Sequence, residues 1–151
     1  MDCQPYNDED ENVTWKNCTL RSWLNDDFIK TAFNKYEQKL VAETNLKNAD
    51  NSKYGTDGGK DTADKVFLLS IDEAKEYFSS DDARMCKPTE YAEAQGGFLG
   101  DNGCCWWWLR SPGSEQDEVA GVRSFGSINA YGSRVGSGDS AIRPALWINL
   151  K

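Results

Sequence analysis

The sequence of 151 residues contains no histidine. This absence excludes Ser-His-Asp and Cys-His catalysis, and it excludes every metal site that depends on an imidazole ligand. The five cysteines form no C-x-x-C pair, so neither a zinc site nor a thioredoxin-like motif is indicated. No apolar run approaches the ~18 residues of a membrane span, and the polar start "MDCQPYNDED" lacks the pattern of a secretory signal. We expect no metal, no cofactor and no membrane span, and the compartment stays unknown.

Basic residues are also scarce. The formal net charge is −8, which argues against nucleic acid as a partner because phosphate binding needs clusters of Lys and Arg. Residues 111–151 hold four acidic and four basic residues, so residues 1–110 carry the whole net charge. With 38% hydrophobic residues, a chain of this length predicts one domain with its own core.

Residues 1–102 contain the helical patterns. In "TLRSWLNDDFIKTAF" a single apolar stripe predicts a helix with Thr19 as its N-cap, and the stripe consists of Leu20, Trp23, Leu24 and Phe28. A second helical stretch is predicted in "NKYEQKLVAE" and a short helix in "KPTEYAEAQGG". "SIDEAKEYF" begins with a capping box, S-x-x-E, which predicts a helix start at Ser70.

Two other segments of this part have no helical period. "KVFLLS" (Lys65–Ser70) predicts a short buried strand. The preceding "NADNSKYGTDGGKDTADK" predicts a polar, solvated loop. The spacing of its Asp57, Asp61 and Asp64 fits no EF-hand, so we expect no calcium there.

The segment 103–143 begins with "GCCWWWLRSPGS" and then changes character. Isolated apolar residues recur every six or seven positions (Val122, Ile128, Val135 and Ile142), with glycines between them. Isolated apolar residues separated by glycines predict short strands and tight turns, in which the apolar residues point inward as anchors. Strand alternation would turn Trp106 and Trp108 one way and Trp107 the other, as a wall of the core with one ring partly exposed. Residues 144–151 close the chain, with a regular strand predicted over Ala145–Leu150.

Sparse anchors leave the residues between them free to point outward. A rigid scaffold with exposed Tyr, Arg, Ser and Asn side chains is typical of a binding surface, although a plain Gly/Ser-rich meander has the same composition. The candidate ligand-binding residues are Trp106, Arg123, Ser124, Phe125, Ser127, Asn129, Tyr131, Ser133, Arg134, Ser137, Asp139 and Ser140.

Several ordered motifs resemble a bacterial domain family of unassigned function. They are "TLRSWLNDDF", "YGTDGG", "DKVFLLS", "CKPTEYAEAQG", "CWWWLRSPG" and "IRPALWINL". That family resembles the C-type-lectin-like fold, which implies an α+β fold with helices around a small antiparallel sheet and a long irregular C-terminal segment. Family members usually carry further strands before "DCQPYN", so the resemblance implies that the closing strand lacks its neighbour. An unpaired edge favours pairing between chains, and we expect a monomer or a homodimer.

The tail is also similar to the variable proteins of diversity-generating retroelements, whose C-terminal segment is mutagenised at adenines, mostly in AAC-type codons. Randomised AAC codons give most of the exposed residue types found between Arg123 and Ala141, and also Cys104. Glu115, Gln116 and Glu118 fall outside that set. A cell or phage surface is compatible with such a protein, but the sequence leaves the compartment unknown.

Three functions follow from these patterns. The first is a non-catalytic module that binds a protein or glycan ligand through the candidate residues. Calcium-dependent sugar binding is disfavoured because the Glu-Pro-Asn, Gln-Pro-Asp and Trp-Asn-Asp motifs are absent. The second is a structural domain of a larger surface protein. The third is an enzyme similar to formylglycine-generating enzymes, for which Cys104 and Cys105 are the candidate thiols.

Overall fold

The computed structural model describes residues 3–150. The predicted first helix forms in three parts: α1 (Thr19–Trp23), a π-helical turn (Leu24–Phe28) and α2 (Ile29–Ala32). Its N-cap is Cys18, whose Sγ accepts from the Arg21 N–H at 3.4 Å, so the prediction of Thr19 was wrong. The Thr19 hydroxyl instead accepts from the Asp8 N–H at 3.0 Å, which ties the N-terminal segment to the helix.

The remaining helices are short. The stretch predicted around residue 37 is a single turn, α3 (Glu37–Leu40). Helix α4 (Ile71–Tyr77) begins with the predicted capping box, in which the Ser70 Oγ accepts from the Glu73 N–H and the Glu73 carboxylate accepts from the Ser70 N–H. One turn without a prediction, α5 (Asp81–Arg84), precedes the predicted helix α6 (Glu90–Ala94).

A two-stranded antiparallel sheet joins β1 (Thr44–Leu46) to β2 (Thr62–Asp64), and β2 lies inside the predicted polar loop. Residues 65–70, predicted as a strand, make only one isolated bridge. The Asn25 side chain explains the difference, since its Oδ1 accepts from the N–H groups of Lys65 (2.9 Å) and Val66 (3.1 Å). A side chain therefore satisfies backbone groups that a neighbouring strand would otherwise pair.

Asp64 at the end of β2 is buried and not part of a solvated loop. Its carboxylate accepts from the Trp15 Nε1–H at 2.9 Å, the Arg21 Nε–H at 2.8 Å and the Thr62 hydroxyl at 2.8 Å. These partners fill the acceptor sites of the carboxylate, so Asp64 links the N-terminal segment, α1 and the small sheet.

The tail forms the predicted short strands. β3 (Trp107–Pro112), β4 (Glu118–Val122) and β5 (Ile128–Arg134) make an antiparallel sheet in the order β3-β4-β5, with register shifts in both pairings. Helices beside two small antiparallel sheets confirm the α+β class. Of the four predicted anchors, Val122, Val135 and Ile142 are buried, and Ile128 is half-buried on the outer strand.

The predicted closing strand is wrong as a regular element. Residues 145–150 make isolated bridges between Ala145 and Phe67 and between Ile148 and Val41. The Asn149 N–H also donates to the Leu40 carbonyl at 2.8 Å. The segment meets the 65–70 segment and the end of α3 in turn, so no continuous ladder forms. The edge expected to lack a neighbour is therefore partly paired within the chain.

One buried cluster runs through the fold. It joins the N-terminal segment at Tyr6 and Trp15 to α1, the 66–71 segment and the β3–β4 pair. Within residues 3–150, none of the helices combines the length and the apolar character needed to cross a bilayer.

Candidate functional site

The turn between β4 and β5 is tight and requires glycine. The Arg123 N–H donates to the Ser127 carbonyl at 2.9 Å, and the Gly126 N–H donates back to the Arg123 carbonyl at 2.8 Å. Gly126 has φ +78°, and a Cβ there would lie 1.7 Å from the Asp81 carbonyl oxygen. A side chain is excluded by both the conformation and the contact, so the turn docks closely on the start of α5.

Two further side chains fix this turn. Arg84 is buried and donates from Nε to the Gly126 carbonyl at 2.9 Å, while its own carbonyl accepts from the Trp107 Nε1–H at 3.1 Å. On the other side, the Asn102 amide donates to the Ser124 carbonyl at 2.9 Å. The backbone of the turn is therefore held by α5 and by the loop before β3.

The exposed side chains of the turn form a first group, which we name the tip patch: Arg123, Phe125 and Ser127. Phe125 is 62% exposed, Arg123 is exposed and Ser127 is half-buried. The prediction for Ser124 was wrong, because this side chain is buried. It packs so closely on Gly100 that a Cβ there would lie 2.5 Å from the Ser124 Oγ.

A second group lies towards the end of β5 and is named the strand patch: Tyr131, Ser133 and Arg134. Tyr131 is 56% exposed, and its ring meets the Tyr54 ring edge-on at a centroid distance of 6.0 Å. Arg134 is exposed and forms an ion pair with Asp117. Together with the neighbouring Tyr54, this group offers two phenol rings and a guanidinium to solvent.

Trp106, Ser137 and Asp139 form a third group, the loop patch. The Trp106 ring packs at a centroid distance of 4.7 Å on Phe98, which no sequence pattern singled out. The Ser137 hydroxyl donates to the Asp139 carboxylate at 2.6 Å. Ser140, predicted as exposed, is buried because the chain there enters the layer beside β3.

The structure thus divides the predicted surface. β5 has seven residues and rises by ~3.3 Å per residue, so the far end of this strand lies roughly 20 Å from the tip patch. Asn129 lies between them, half-buried, with its amide donating to the Gly132 carbonyl at 3.1 Å. A ligand of protein size could cover the tip and strand patches together, whereas a single sugar ring would occupy one of them.

Sequence reasoning missed the residue that holds the strand patch. Asn51 is buried, and its amide group donates to three main-chain oxygens: Pro112 (2.9 Å), Gly113 (3.1 Å) and Ala130 (2.8 Å). It lies in the predicted polar loop, three residues before Tyr54. No local signal identifies it, because its partners lie more than sixty residues further along the chain.

The candidate catalytic thiols are poorly placed to act as the first nucleophile of a reaction. Cys104 and Cys105 are both buried. A hydrogen bond with the Cys86 thiol, together with burial, raises the pKa of Cys105 well above its ordinary value. A nucleophilic thiol needs the opposite shift, which disfavours the formylglycine-type alternative.

The three patches carry aromatic rings, hydroxyls, a carboxylate and guanidinium groups. Such groups stack and form hydrogen bonds, and the chain has no histidine to act as a base beside the hydroxyls. Neither a curated protein nor a solved structure matches the chain. The sequence profile of a family described as a domain of unknown function (DUF6273) matches residues 2–150, and the chain therefore belongs to that family.

Proposed function

We propose that the chain is a non-catalytic ligand-binding module that presents the tip and strand patches to a protein or glycan. The observation that carries this proposal is the combination of exposed rings with a fixed backbone. Phe125 and Tyr131 face solvent on a hairpin that Asp81, Arg84 and Asn51 hold in place. Rigid aromatic side chains lose little conformational freedom on binding, so their burial adds affinity at low entropic cost.

We also propose a C-type-lectin-like fold and retroelement diversification for this family member. The support is the separation of buried anchors from exposed neighbours. Val122 and Val135 are buried, whereas Arg123 and Arg134 beside them are exposed. The exposed residue types fall largely within the set that randomised AAC codons produce.

The DNA downstream of the gene tests diversification directly. We expect a near-copy of the codons for residues 103–151, with adenines where this copy has other bases, beside a reverse-transcriptase gene. Substitutions should fall at the tip and strand patches and spare the codon of Gly126, because a side chain there would meet Asp81. A flanking sequence without such a copy would remove the retroelement from the proposal and leave ligand binding to be tested separately.

Binding is tested with arrays of glycans and of purified extracellular protein domains. We expect any ligand of the wild-type chain to lose at least ten-fold affinity with the double substitution Phe125→Ser, Tyr131→Ser, since a buried aromatic anchor contributes about 2 kcal/mol or more. Tyr36→Ser is the matched control, because Tyr36 is 72% exposed and lies outside the three patches. Equal loss in both variants, or no ligand on either array, would favour the structural-domain alternative.

A further inference from the structure

Cys86 and Cys105 come together from two separate segments. Cys86 follows α5, and Cys105 precedes β3. The Cys105 N–H donates to the Cys86 carbonyl at 2.8 Å, and the Cys105 Sγ lies 3.2 Å from the same oxygen. All five cysteines of the chain lie within residues 3–150, and none of them is in a disulfide.

Their main chains are in direct contact. The 2.8 Å hydrogen bond from the Cys105 N–H to the Cys86 carbonyl brings the two residues side by side, as a disulfide between Cα atoms ~4.4–6.8 Å apart requires. The Cys105 thiol donates to the Cys86 carbonyl, which places the Cys105 sulfur against the Cys86 main chain. Cys86 is half-buried whereas Cys105 is buried, so a reagent from solvent reaches Cys86 first.

A cation lies beside this pair. The Arg143 guanidinium packs over the Phe78 and Trp107 rings, 4.7 and 4.9 Å from their centroids, and donates to the Arg84 carbonyl at 3.3 Å. Within residues 3–150, Arg143 takes part in no ion pair, so no carboxylate neutralises its charge.

The two thiols differ in acidity for these reasons. The hydrogen bond from Cys105 lowers the pKa of Cys86, burial opposes it, and the charge of Arg143 lowers the pKa further, to about 6. The same hydrogen bond raises the pKa of Cys105. At neutral pH Cys86 is therefore mostly thiolate and Cys105 remains the proton-bearing partner. No group of three or more metal-ligating side chains occurs in the described residues, so the pair is not part of a metal site there.

We propose that Cys86 and Cys105 form a thiol–disulfide exchange site that reacts with low-molecular-weight disulfides. The Cys86 thiolate attacks one sulfur of the small disulfide, whose S–S bond breaks and releases one thiolate. Cys105 then loses its proton to solvent and attacks the Cys86 sulfur, releasing the second small thiol as a thiolate that takes up a proton. The protein dithiol loses two electrons, and the small disulfide is reduced to two thiols.

The site lies next to the structure that holds the tip patch. Arg84, which donates to the Gly126 carbonyl, is two residues before Cys86. A disulfide would tie the end of α5 to the start of β3, so oxidation would stiffen the support of the β4–β5 turn. The exchange reaction does not depend on ligand binding by the turn, so an experiment that contradicts one proposal leaves the other unaffected.

The test uses the full chain and glutathione disulfide at neutral pH, followed by intact mass and peptide mapping without reduction. We expect the loss of two hydrogen atoms and a Cys86–Cys105 linkage. Cys105→Ser should stop at a stable mixed disulfide on Cys86, and Cys86→Ser should slow glutathione incorporation at least ten-fold. Cys104→Ser is the matched control and should behave as wild type. A linkage through Cys104, or no reaction, would overturn the proposal.

A pH profile separates a reactive thiolate from an accessible thiol. The rate of Cys86 alkylation by iodoacetamide, followed by peptide mapping, should rise through an inflection near 6 in the wild type. Arg143→Gln should move the inflection upwards, and Arg143→Lys should restore most of the shift because it keeps the charge. An inflection near the ordinary ~8.5 of a cysteine in all three proteins would contradict the role of Cys86 as the attacking group.

Discussion

At the scale of single residues, the tryptophan cluster is divided between two sides of β3. Trp107 packs against Phe78 and donates from Nε1 to the Arg84 carbonyl. Trp108 packs against Tyr6 on the other side and donates from Nε1 to the Gln4 carbonyl at 3.0 Å. Each indole thus fills core volume while its only polar atom is satisfied. Three consecutive tryptophans are tolerated because β3 is covered on both faces.

Arg110 continues this strand and carries a buried charge. Its guanidinium pairs with the Glu73 carboxylate and also donates to the main-chain oxygens of Leu68 and Lys47, at 2.8 and 3.2 Å. Burial alone would raise the pKa of Glu73, but the hydrogen bonds from Arg110 and Ser70 hold it below its ordinary value. The ion pair therefore joins the start of α4 to β3.

Glu73→Gln should reveal this pairing in the pH dependence of stability. At pH 7 we expect a loss of about 1.5–3 kcal/mol in the free energy of unfolding, because a hydrogen bond to a charged group is lost. The folded-state pKa of Glu73 is depressed, so its contribution is complete above the unfolded value of ~4.3 and disappears as the pH falls through the folded value. Urea unfolding between pH 7 and 3 should show the two proteins converging.

The neighbouring substitution Glu76→Gln is the control for that experiment. Glu76 is exposed on the same helix and has no partner among the ion pairs of residues 3–150. It should change stability by less than ~0.5 kcal/mol. A constant difference between wild type and Glu73→Gln at every pH would show that the carboxylate charge plays no part.

At the scale of elements, side chains from distant loops hold the hairpin that carries the tip and strand patches. Arg84 in α5 binds one end through the Gly126 carbonyl, and Asn51 binds the other through Ala130. Regular ladder bonds alone do not fix β5, because its pairing with β4 contains a register shift. The position of the displayed side chains thus depends on polar groups outside the sheet.

Asn51→Asp tests this dependence with almost no change in shape. The carboxylate cannot donate, so the oxygens of Pro112, Gly113 and Ala130 lose their shared partner and face a negative charge. We expect a loss of about 1–3 kcal/mol in the free energy of unfolding, together with increased amide exchange in β5. Urea unfolding and hydrogen exchange measure the two effects.

Asn34→Asp provides the matched comparison. Asn34 is exposed, and its Oδ1 accepts from the N–H groups of Tyr36 and Glu37 at 2.8 and 3.0 Å. The substitution keeps that acceptor, so stability should change by less than ~0.5 kcal/mol. Similar losses in both variants would mean that added charge, and not the missing donor, causes the effect.

The elements also show what the sequence could and could not predict. The helix at Leu20–Phe28, the capping box at Ser70 and the strand-rich tail depend on patterns within a few residues, and all three are present. The strand predicted over 65–70 and the exposure of Ser124 were wrong because Asn25 and Gly100, which are distant in sequence, determine them. The buried apolar anchors were predictable from hydrophobic spacing, whereas the polar side chains that hold distant segments were not.

At the scale of the whole molecule, the fold separates a buried framework from an exposed surface on the C-terminal hairpin. The core cluster and the buried polar residues Arg110, Asp64 and Asn51 tie the chain together. The displayed side chains make few of these contacts. The net charge of −8 arises outside residues 111–151, which hold four acidic and four basic residues. We therefore expect substitutions at the displayed positions to leave the fold intact.

Two combinatorial libraries test that separation. Both libraries are displayed on cells and sorted for protease resistance. The first library randomises the surface positions Arg123, Phe125, Ser127, Tyr131 and Ser133. The second randomises the buried positions Val122, Val135, Ala141 and Ile142. Surface substitutions usually change stability by less than ~0.5 kcal/mol each, whereas truncating buried aliphatic side chains costs about 2–5 kcal/mol. We expect most members of the first library to stay folded and most of the second to be degraded.

Gly126, randomised separately, supplies a control for the first library. It lies between two randomised positions and belongs to the same exposed turn, yet a Cβ there would lie 1.7 Å from the Asp81 carbonyl oxygen. Randomising Gly126 alone should therefore deplete every residue except glycine. Tolerance at Phe125 and Ser127 with intolerance at Gly126 would follow from a fixed turn with free side chains. Equal tolerance at all three positions would show that the turn is not docked on α5, and the proposal of a binding role would then lose the rigid support on which it rests.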